Sequence, residues 1–480
     1  MAAALVGAGV SAPPAEAHST APVRQQARPG PPTSGDSLFP DVGNRGYDVS
    51  HYNIALRYDE TRRSIRATTT VSARAEYPLS SFALDLEGLT VDRVRVDGSS
   101  AAWARSGHKL LITPKRSLLG SFTVVIAYHG KPVTHVDPDG AADGWIPTKD
   151  GATVLSEPVG AMTWFPNNNT PRDKATFTTR ITVPNRLEVA GNGTLSRRRQ
   201  GSRTTWTWRQ RQPMATYLAM ISIDDYRVYR SSMRLVSGKK LSLWSFVEVG
   251  LGSYAAQRAL VPKAIRFEER RFGPYPFSSA GIVVVDTGAG YALETQTRPV
   301  FDATSDVSES TVVHELAHQW YGDSLTPCDW GDIWLNEGFA SYTESLWLAA
   351  HGGPSTKAQF RQAYATAPAS LWSPAPADLK DPADLFSDPV YLRGGMTLEV
   401  LRERIGSRSF SIVLKRWAAR HAGSCVSTGQ FVALAEEVSH RDLDQLFDDW
   451  LYVAKKPVGY VPDPTILSRA GAPRPVRPWR

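Results

Sequence analysis

The stretch HELAHQWYGDSLTPCDWGDIWLNEGFA, residues 314–340, determines how the rest of the chain is interpreted. It begins with an H-E-x-x-H pattern in which His314 and His318 are four positions apart. Residues four apart on an α-helix share a face, so the two imidazoles can bind one ion, with Glu315 beside it to handle a water molecule. A second predicted helix follows, and Glu337 near its start supplies a third ligand. Two histidines and one glutamate leave a fourth zinc position open, as in catalytic zinc sites.

Two neighbours of these residues are predicted to support them. Glu344 lies seven residues after Glu337, two turns along the same helix face, where it can accept a hydrogen bond from a ligating imidazole. Asn336, directly before Glu337, is likewise predicted to support the metal ligands without binding the metal itself. The alternative interpretation is an amphipathic helix with two histidines at its edge and ordinary surface glutamates. Glu337, which follows His318 after 18 intervening residues, favours a metal site over that alternative.

The sequence around this stretch shows two patterns. From Tyr47 to about residue 230, short segments alternate apolar and polar residues, as in Val91–Val96, which ends in the hairpin signal Asp97-Gly98. Beyond about residue 250, apolar residues recur at helical spacing, with a capping box at Ser427 and Gln430. Helices are predicted at 255–271, 308–321, 334–350, 356–364, 394–405, 410–421 and 427–438. The chain is therefore predicted to be an α+β multidomain protein, with an all-β domain followed by a mostly α-helical one.

These patterns divide the chain into five predicted parts. They are a truncated signal segment at 1–17, a disordered linker at 18–43, a β domain at 44–230, a metal-binding domain at 231–455 and a Pro/Arg-rich tail at 456–480. The signal rests on a small apolar start and on Ala15-Glu16-Ala17, an A-x-A pattern that resembles a cleavage site. Because the usual positive start is missing, a disordered Ala-rich tail on a cytoplasmic protein is the alternative. We expect a location outside the cell or in the cell envelope.

Composition excludes several classes of function. The net charge of +7 over 480 residues is modest, much of the excess lies in the tails, and no basic helix or aromatic-basic platform is evident, so we expect no nucleic-acid partner. No stretch approaches about 18 uninterrupted apolar residues, so no membrane span is expected. There are two cysteines, Cys328 and Cys425, and no C-x-x-C, which excludes a thiolate metal site. The two cysteines either form a disulfide that braces the metal site or remain two unrelated thiols.

The H-E-x-x-H and the later N-E-G-F-A, whose glutamate follows after 18 intervening residues, resemble the aminopeptidase N family of gluzincin metallopeptidases. The resemblance extends to YDVSHY at 47–52, to EPVGAMTWFPNNNTPRDKATF at 157–177 and to QPMATYL at 212–218. It covers roughly residues 44–455. It implies a saddle-like N-terminal β domain, a thermolysin-like catalytic domain and one zinc ion per chain. It also implies a short form without the large C-terminal helical domain of many relatives.

The resemblance assigns further residues to the reaction. Tyr391, in a segment similar to the family's Y-x-K-G, is implied as the donor that stabilises the oxyanion, with Arg393 in place of the usual lysine. Glu294, in a segment similar to G-x-M-E-N, and Glu157, in the β domain, are implied as partners of the substrate's α-amino group. The departures are Tyr291, Leu293 and Thr295 in the first segment and Met162 in place of an arginine after Glu157.

Together these residues predict a zinc aminopeptidase that removes N-terminal residues from peptides. A zinc-bound water would attack the scissile carbonyl, with Glu315 as the general base. The expected partners are peptides with a free N-terminus, and the expected oligomeric state is a monomer or small homo-oligomer. The rivals are a zinc endopeptidase or epoxide hydrolase of the same family, and a non-catalytic peptide-binding relative. Glu157 and Glu294 favour the aminopeptidase, because they would close the groove beyond the substrate's N-terminus.

Overall fold

The structure is a computed structural model that describes residues 26–457, together with positions 1, 3, 4, 7 and 9. Most of the predicted signal segment and the tail from residue 458 onward lie outside the described residues. Within the described part of the chain, no helix is long and apolar enough to cross a membrane. The predicted tail begins too early, because the carbonyl of Pro457 accepts a hydrogen bond from Tyr364 Oη (2.7 Å) and Lys456 Nζ donates to the Tyr364 carbonyl (2.7 Å).

The N-terminal half is built on an eight-stranded sheet with the order β14-β15-β12-β1-β2-β8-β4-β5. One side of each long strand is buried and the other faces outward, as the alternation of apolar and polar residues predicts. The hairpin at Asp97-Gly98 is confirmed, with Val96 paired to Ser99. The strands of this sheet are β1 (Tyr47–Asp59), β2 (Ser64–Leu79), β4 (Thr90–Val96), β5 (Ser99–Ser100), β8 (Leu118–Gly130), β12 (Ala175–Pro184), β14 (Thr194–Gln200) and β15 (Arg203–Met214).

Two smaller sheets complete this half. A three-stranded sheet has the order β3-β7-β6, and a five-stranded sheet has the order β13-β16-β11-β10-β9. Strand β11 ends at Leu155, two residues before Glu157, so the five-stranded sheet positions that residue. The strands are β3 (Phe82–Asp85), β6 (Ala102–Ser106), β7 (Lys109–Thr113), β9 (Thr134–Val136), β10 (Ala142–Pro147), β11 (Ala152–Leu155), β13 (Glu188–Gly191) and β16 (Ile221–Asp224).

The second half is a mixed α/β domain with a six-stranded sheet in which β17-β18-β20-β22-β21 are in order and β19 pairs with β18. The predicted domain boundary at 230 is placed too late, because β17 begins at Tyr226 and pairs along its length with β18. Edge strand β21 ends directly before Glu294 and so places it at the rim of the sheet. The strands are β17 (Tyr226–Arg234), β18 (Lys240–Glu248), β19 (Ser279–Ala280), β20 (Val283–Val285), β21 (Ala292–Leu293) and β22 (Val300–Asp302).

The helices follow the predicted series with one difference that concerns the metal site. They are α1 (Ala255–Phe272), α2 (Glu309–Ala317), α3 (Trp334–Ala350), α4 (Thr356–Thr366), α5 (Gly394–Ile405), α6 (Ser407–Arg420), α7 (Thr428–Ser439) and α8 (Asp444–Phe447). The capping box at Ser427 and Gln430 is present. Helix α2 was predicted to reach Tyr321 but ends at Ala317, because the chain turns back and Tyr321 bridges to Leu325. His318 keeps helical backbone angles, so both histidines still share one face.

The predicted linker at 18–43 is wrong for its second part, residues 26–43, which is packed against the fold. Residues 28–43 form what we call the N-terminal strap. Leu38 and Phe39 are buried, the Phe39 ring contacts Trp330 edge-on at 6.3 Å, and Asp36 Oδ2 accepts a hydrogen bond from the Trp330 amide (2.9 Å). A few apolar side chains in a polar, Pro-rich segment are enough to anchor it, and the average composition of the segment conceals them.

The strap therefore lies on the loop that joins α2 to α3. The same loop carries Cys328, which the structure joins to Cys425 in a disulfide, the first of the two predicted alternatives. Short strands β23 (Thr326–Pro327) and β24 (Cys425–Val426) pair beside it. The connection between the two ligand-bearing helices is thus held from the N-terminal strap on one side and from the start of α7 on the other.

Candidate metal centre and active site

Helices α2 and α3 bring the three predicted metal ligands together. Ser308 caps α2 by accepting a hydrogen bond from the Thr311 amide (3.2 Å). Oε2 of Glu337 lies 3.2 Å from His314 Nε2 and 3.4 Å from His318 Nε2, and all three side chains are buried. We call these three residues the metal pole. Their donor atoms lie within 4.8 Å of one another, and two imidazole nitrogens with one carboxylate are the donors of a catalytic zinc site.

The other nitrogen of each imidazole is occupied by a supporting group. Nδ1 of His314 donates to Glu344 Oε1 (2.7 Å), whose second oxygen accepts a hydrogen bond from Ser310. Nδ1 of His318 donates to the carbonyl of Tyr321 (3.0 Å), a partner that the sequence interpretation missed because it depends on the turn after α2. Both rings therefore present Nε2 to the metal position, as ligating histidines require. The predicted role of Glu344 is consistent with this geometry.

Charge pairing dominates the metal pole. Burial would raise the pKa of Glu337, but the adjacent His318 and hydrogen bonds with both imidazoles outweigh it and lower the pKa to about 2. Burial would likewise lower the pKa of His318, yet Glu294 and Glu337 raise it to about 9. Glu337 is thus held as a carboxylate, the form in which it binds a cation.

Glu315 is buried beside this cluster but is not paired within it. Its Oε2 has no hydrogen-bond partner among the described residues, and burial raises the pKa of its carboxyl to about 8. One of its oxygens lies within 4.8 Å of donor atoms of Glu294 and His318. A buried carboxylate with a spare acceptor and a pKa near neutrality is suited to take a proton from a water molecule.

A second acidic cluster lies next to the metal pole. Glu157 comes from the β domain and Glu294 from the rim of the mixed sheet, yet oxygens of Glu157, Glu294 and Glu337 lie within 4.8 Å of one another. We call Glu157 and Glu294 the acidic pole. Burial, followed by the charge of Glu294, raises the pKa of Glu157 well above its ordinary value. Oε1 of each residue lacks a hydrogen-bond partner among the described residues, although Oε1 of Glu294 lies 3.8 Å from His318 Nδ1. Two buried carboxyls with free oxygens form a receptor for a small cation such as an ammonium group.

The loop that leads to Glu294 is more constrained than its glycines suggest. Gly288 and Gly290 adopt positive φ values of 68° and 85°, but Asp302 accepts hydrogen bonds from the amides of Thr287 and Gly290. Tyr291, where the family pattern has glycine, donates from its hydroxyl to the carbonyl of Ala142 in β10 (2.7 Å). This tyrosine therefore fastens the Glu294 segment to the five-stranded sheet that carries Glu157.

Tyr391 lies in the helical turn that directly precedes α5. Its ring is nearly parallel to the imidazole of His314, with centroids 5.9 Å apart, which places it beside the metal pole. Burial raises the pKa of its phenol well above the ordinary value, so the hydroxyl keeps its proton and can donate it in a hydrogen bond. Arg393 is buried instead, and its guanidinium donates to the carbonyls of Trp372 (2.8 Å) and Asp449 (2.9 Å). That arginine fixes the segment to the end of the domain.

Asn336 contacts a residue that was not among the predicted site residues. Its Nδ2 lies 3.4 Å from Tyr217 Oη, and this hydroxyl donates to the carbonyl of Gly322 in the turn after His318 (2.7 Å). The Tyr217 ring also packs edge-on against Trp330, at 5.0 Å. Asn336 is thus linked to the β domain rather than to a ligand side chain. The signal for Tyr217 was its place in the stretch 212–218, but its contact with Asn336 is not visible in the sequence.

Comparison with known proteins accords with this geometry. Residues 49–218 match the Peptidase M1 N-terminal domain, and residues 262–450 match the Peptidase family M1 domain.

The chain belongs to peptidase family M1.

A solved M1 zinc metallopeptidase from Deinococcus radiodurans, a mutant bound to a Tyr-Ser-Ala substrate, superimposes with a TM-score of 0.81 at 29% identity, covering 90% of this chain and 100% of that one. Curated relatives include leukotriene A-4 hydrolase of Xenopus laevis, 25% identical over 62% of this chain and 51% of the relative. Another is probable aminopeptidase 2 of Sulfurisphaera tokodaii, 24% identical over 79% of this chain and 50% of the relative. The chain spans about half the length of these curated relatives. The M1 chain thus has the predicted order of an N-terminal β domain and a catalytic domain.

Proposed function

We propose that this M1 chain is a zinc-dependent aminopeptidase. The observation that carries the proposal is the position of the acidic pole, whose Glu157 and Glu294 have oxygens within 4.8 Å of Glu337 in the metal pole. A peptide whose N-terminal ammonium lies between these carboxylates would have its first peptide bond near the metal position. Because both carboxyls are buried, a peptide that extended beyond its ammonium at this end would have to displace them. This arrangement supports exopeptidase over endopeptidase action.

Each group of residues in the site has a separate role in the proposed reaction. His314, His318 and Glu337 would hold zinc, which when bound lowers the pKa of a water molecule and polarises a carbonyl. Glu315 accepts a proton from the attacking water and returns it to the departing amine. The Tyr391 hydroxyl donates a hydrogen bond to the oxygen that becomes negative as the carbonyl is attacked. Glu157 and Glu294 accept hydrogen bonds from the substrate's ammonium group and fix its position.

Hydrolysis of aminoacyl-arylamides beside their N-acetylated forms tests this function. We expect cleavage of the free-amine substrates only, loss of activity with a chelator and recovery with zinc. Equal cleavage of acetylated substrates would contradict the aminopeptidase, and chelator-resistant activity would contradict the metal. Hydrolysis of an epoxide without any arylamide cleavage would favour the hydrolase rival.

We also infer that the protein works outside the cytoplasm. The disulfide between Cys328 and Cys425 supports this, because disulfides persist in oxidising compartments and are rare in the cytosol. Alkylation of thiols during lysis, followed by mass spectrometry of the protein from culture medium, envelope and cytoplasm, tests the inference. A predominantly cytoplasmic protein with two alkylated cysteines would contradict it.

A further inference from the structure

The outward face of the eight-stranded sheet carries basic side chains that have no role in the proposed reaction. The strand register arranges these side chains in rows that cross the sheet. One row includes Arg198 in β14, Arg57 in β1, Arg66 in β2 and His129 in β8. The remaining positions of this row, Thr182, Thr205 and Thr90, carry hydroxyls. With neighbouring strands about 4.8 Å apart, the row from Arg198 to His129 spans roughly 24 Å.

Two further rows continue the pattern along the strands. The second contains Arg180 in β12 and Arg93 in β4, and the third contains Arg209 in β15 and Arg95 in β4. Their other positions are Ser and Thr, with Asn53 and the small apolar residues Ala55, Ala127 and Val125. None of the paired positions in these three rows, all within the described strands, holds a carboxylate. We call the three rows the basic face.

Few of these charges are neutralised by neighbours. Asp92, at a bulge in β4, lies 3.9 Å from Arg66 and 2.8 Å from His129. By contrast, no carboxylate among the described residues lies within ion-pair distance of Arg57, Arg93, Arg95 or Arg198, which are all exposed. The first row borders a cleft of about 650 Å³ lined by Arg57, Arg62, Arg66, His129, Lys131 and Arg203, whose one carboxylate, Asp59, pairs with Arg62 (3.1 Å). Asp59 and Asp92 offset only part of this positive charge, and the excess favours an anionic occupant.

We propose that the basic face binds a linear phosphate polymer that lacks stacking bases. Guanidinium groups donate paired hydrogen bonds to phosphate oxygens, and the intervening threonine hydroxyls add single donors. The extent of the rows and the cleft at their end suit an extended chain better than a single phosphate.

The composition of the face distinguishes this partner from two other polyanionic ones. Binding of single-stranded nucleic acid depends on aromatic side chains on which bases stack, and the rows contain no Phe, Tyr or Trp. Insertion into a lipid surface needs large apolar side chains that enter the acyl region, and the largest apolar residue in the rows is Val125, so only attraction to anionic headgroups would hold the face at a membrane. A flexible phosphate chain needs neither feature.

The test uses the full chain and long-chain inorganic polyphosphate, with binding measured by titration calorimetry. The variant R57T/R93T/R95T/R198T removes four unpaired charges and keeps a residue type that strands favour. The control variant R270Q/R404Q/R408Q/R441Q removes the same charge from exposed positions of the catalytic domain. We expect the affinity of the unmodified chain to fall about tenfold or more between roughly 50 and 200 mM salt, as counterion release requires. We expect at least a tenfold loss in the face variant and less than about a threefold loss in the control.

Other outcomes would overturn the proposal. Absence of binding at low salt would do so, and equal losses in both variants would mean that net charge alone is responsible. Tighter binding of an oligonucleotide of matched charge, or of phosphatidylglycerol vesicles, would assign the face to nucleic acid or to a membrane instead. Circular dichroism and thermal melting of both variants ensure that a loss of affinity does not reflect unfolding. The result is independent of the aminopeptidase, because the face lies outside the metal and acidic poles.

Discussion

The metal pole and the acidic pole both contain buried glutamates, but these glutamates have opposite roles. Glu337 lies between two imidazoles, which lower the pKa of its carboxyl to about 2 despite burial. Glu157 lies beside Glu294 instead, and burial with a neighbouring like charge raises its pKa well above the usual range. The first carboxylate is ready to bind a metal, and the second pair retains a proton until a cation arrives. Neighbouring charge, rather than burial, separates the two, because all three glutamates are buried.

The largest effect should come from the group that belongs to neither pole. Glu315→Gln keeps the shape of the side chain but cannot accept a proton, so we expect kcat to fall roughly 10²–10⁴-fold. Zinc content measured by mass spectrometry should remain that of the unmodified chain, because the three ligands are intact. Glu403→Gln, a half-buried glutamate in α5 that pairs with Lys357, is the control and should retain full activity. Loss of zinc in the Glu315 variant would mean that Glu315 supports the metal pole rather than the chemistry.

Substitution in the acidic pole should have the next largest effect. Glu157→Gln and Glu294→Gln each remove a charged partner of the substrate's ammonium, and hydrogen bonds to charged groups contribute about 1.5–3 kcal/mol. We therefore expect kcat/KM for free-amine substrates to fall roughly 10–150-fold, with zinc content unchanged. The separation of the poles predicts that any residual cleavage of N-acetylated substrates does not fall. An equal loss of kcat/KM for free-amine and N-acetylated substrates would show that the acidic pole does not bind the amino group.

The support of the metal pole should be measurable on its own. Glu344→Gln replaces the carboxylate that accepts a hydrogen bond from His314 Nδ1, and such supporting groups change metal affinity roughly 10–100-fold. Competition with a chromophoric zinc chelator measures this affinity. At saturating zinc, the KM for free-amine substrates should be unchanged, since the acidic pole is intact. A changed KM with unchanged zinc affinity would contradict this division of roles.

The two poles should also differ in their response to pH. Because the pKa of Glu157 is raised, its carboxyl is protonated at low pH and must lose that proton to pair with an ammonium group. Glu315, whose pKa is about 8, must lose its proton as well, so we expect kcat/KM to rise with pH as both carboxyls deprotonate, until the substrate amine itself deprotonates near pH 7.7–8.0. In Glu157→Gln this acid limb should move to lower pH. Identical pH profiles for the two proteins would contradict the assignment.

The smallest functional effect should follow from the N-terminal strap, which supports the loop between the metal-pole helices. Phe39→Ala removes the ring that packs against Trp330, and we expect the free energy of unfolding to fall by about 3 kcal/mol. Activity of the folded protein at 25 °C should change little, because the disulfide and Tyr217 still hold the loop. Leu119→Ala, at a side chain that is 74% exposed, is the control and should change stability by less than about 0.5 kcal/mol. Chemical denaturation followed by tryptophan fluorescence measures both.

Local patterns predicted most elements of the fold and the metal pole. The four-residue spacing of His314 and His318 needs only one helix, and the alternation in β1 and β2 needs only one buried sheet face. The strap shows where this reasoning fails. Its few apolar residues lie in a Pro-rich segment whose average composition is that of a linker, and only the surface that receives Phe39 distinguishes it from one.

The sequence by itself therefore determined the order of the two domains and the features that a single helix or strand produces. Those features include the shared face of the histidines and the position of Glu337 at the start of the next helix. The tertiary structure decided which distant segments meet. It brought Glu157 of the β domain beside Glu294, linked Asn336 to Tyr217, and aligned arginines from β1, β4 and β14 on one sheet face. The physical reason is that helical and strand periodicity act over a few residues, whereas these contacts depend on how complete sheets and helices pack.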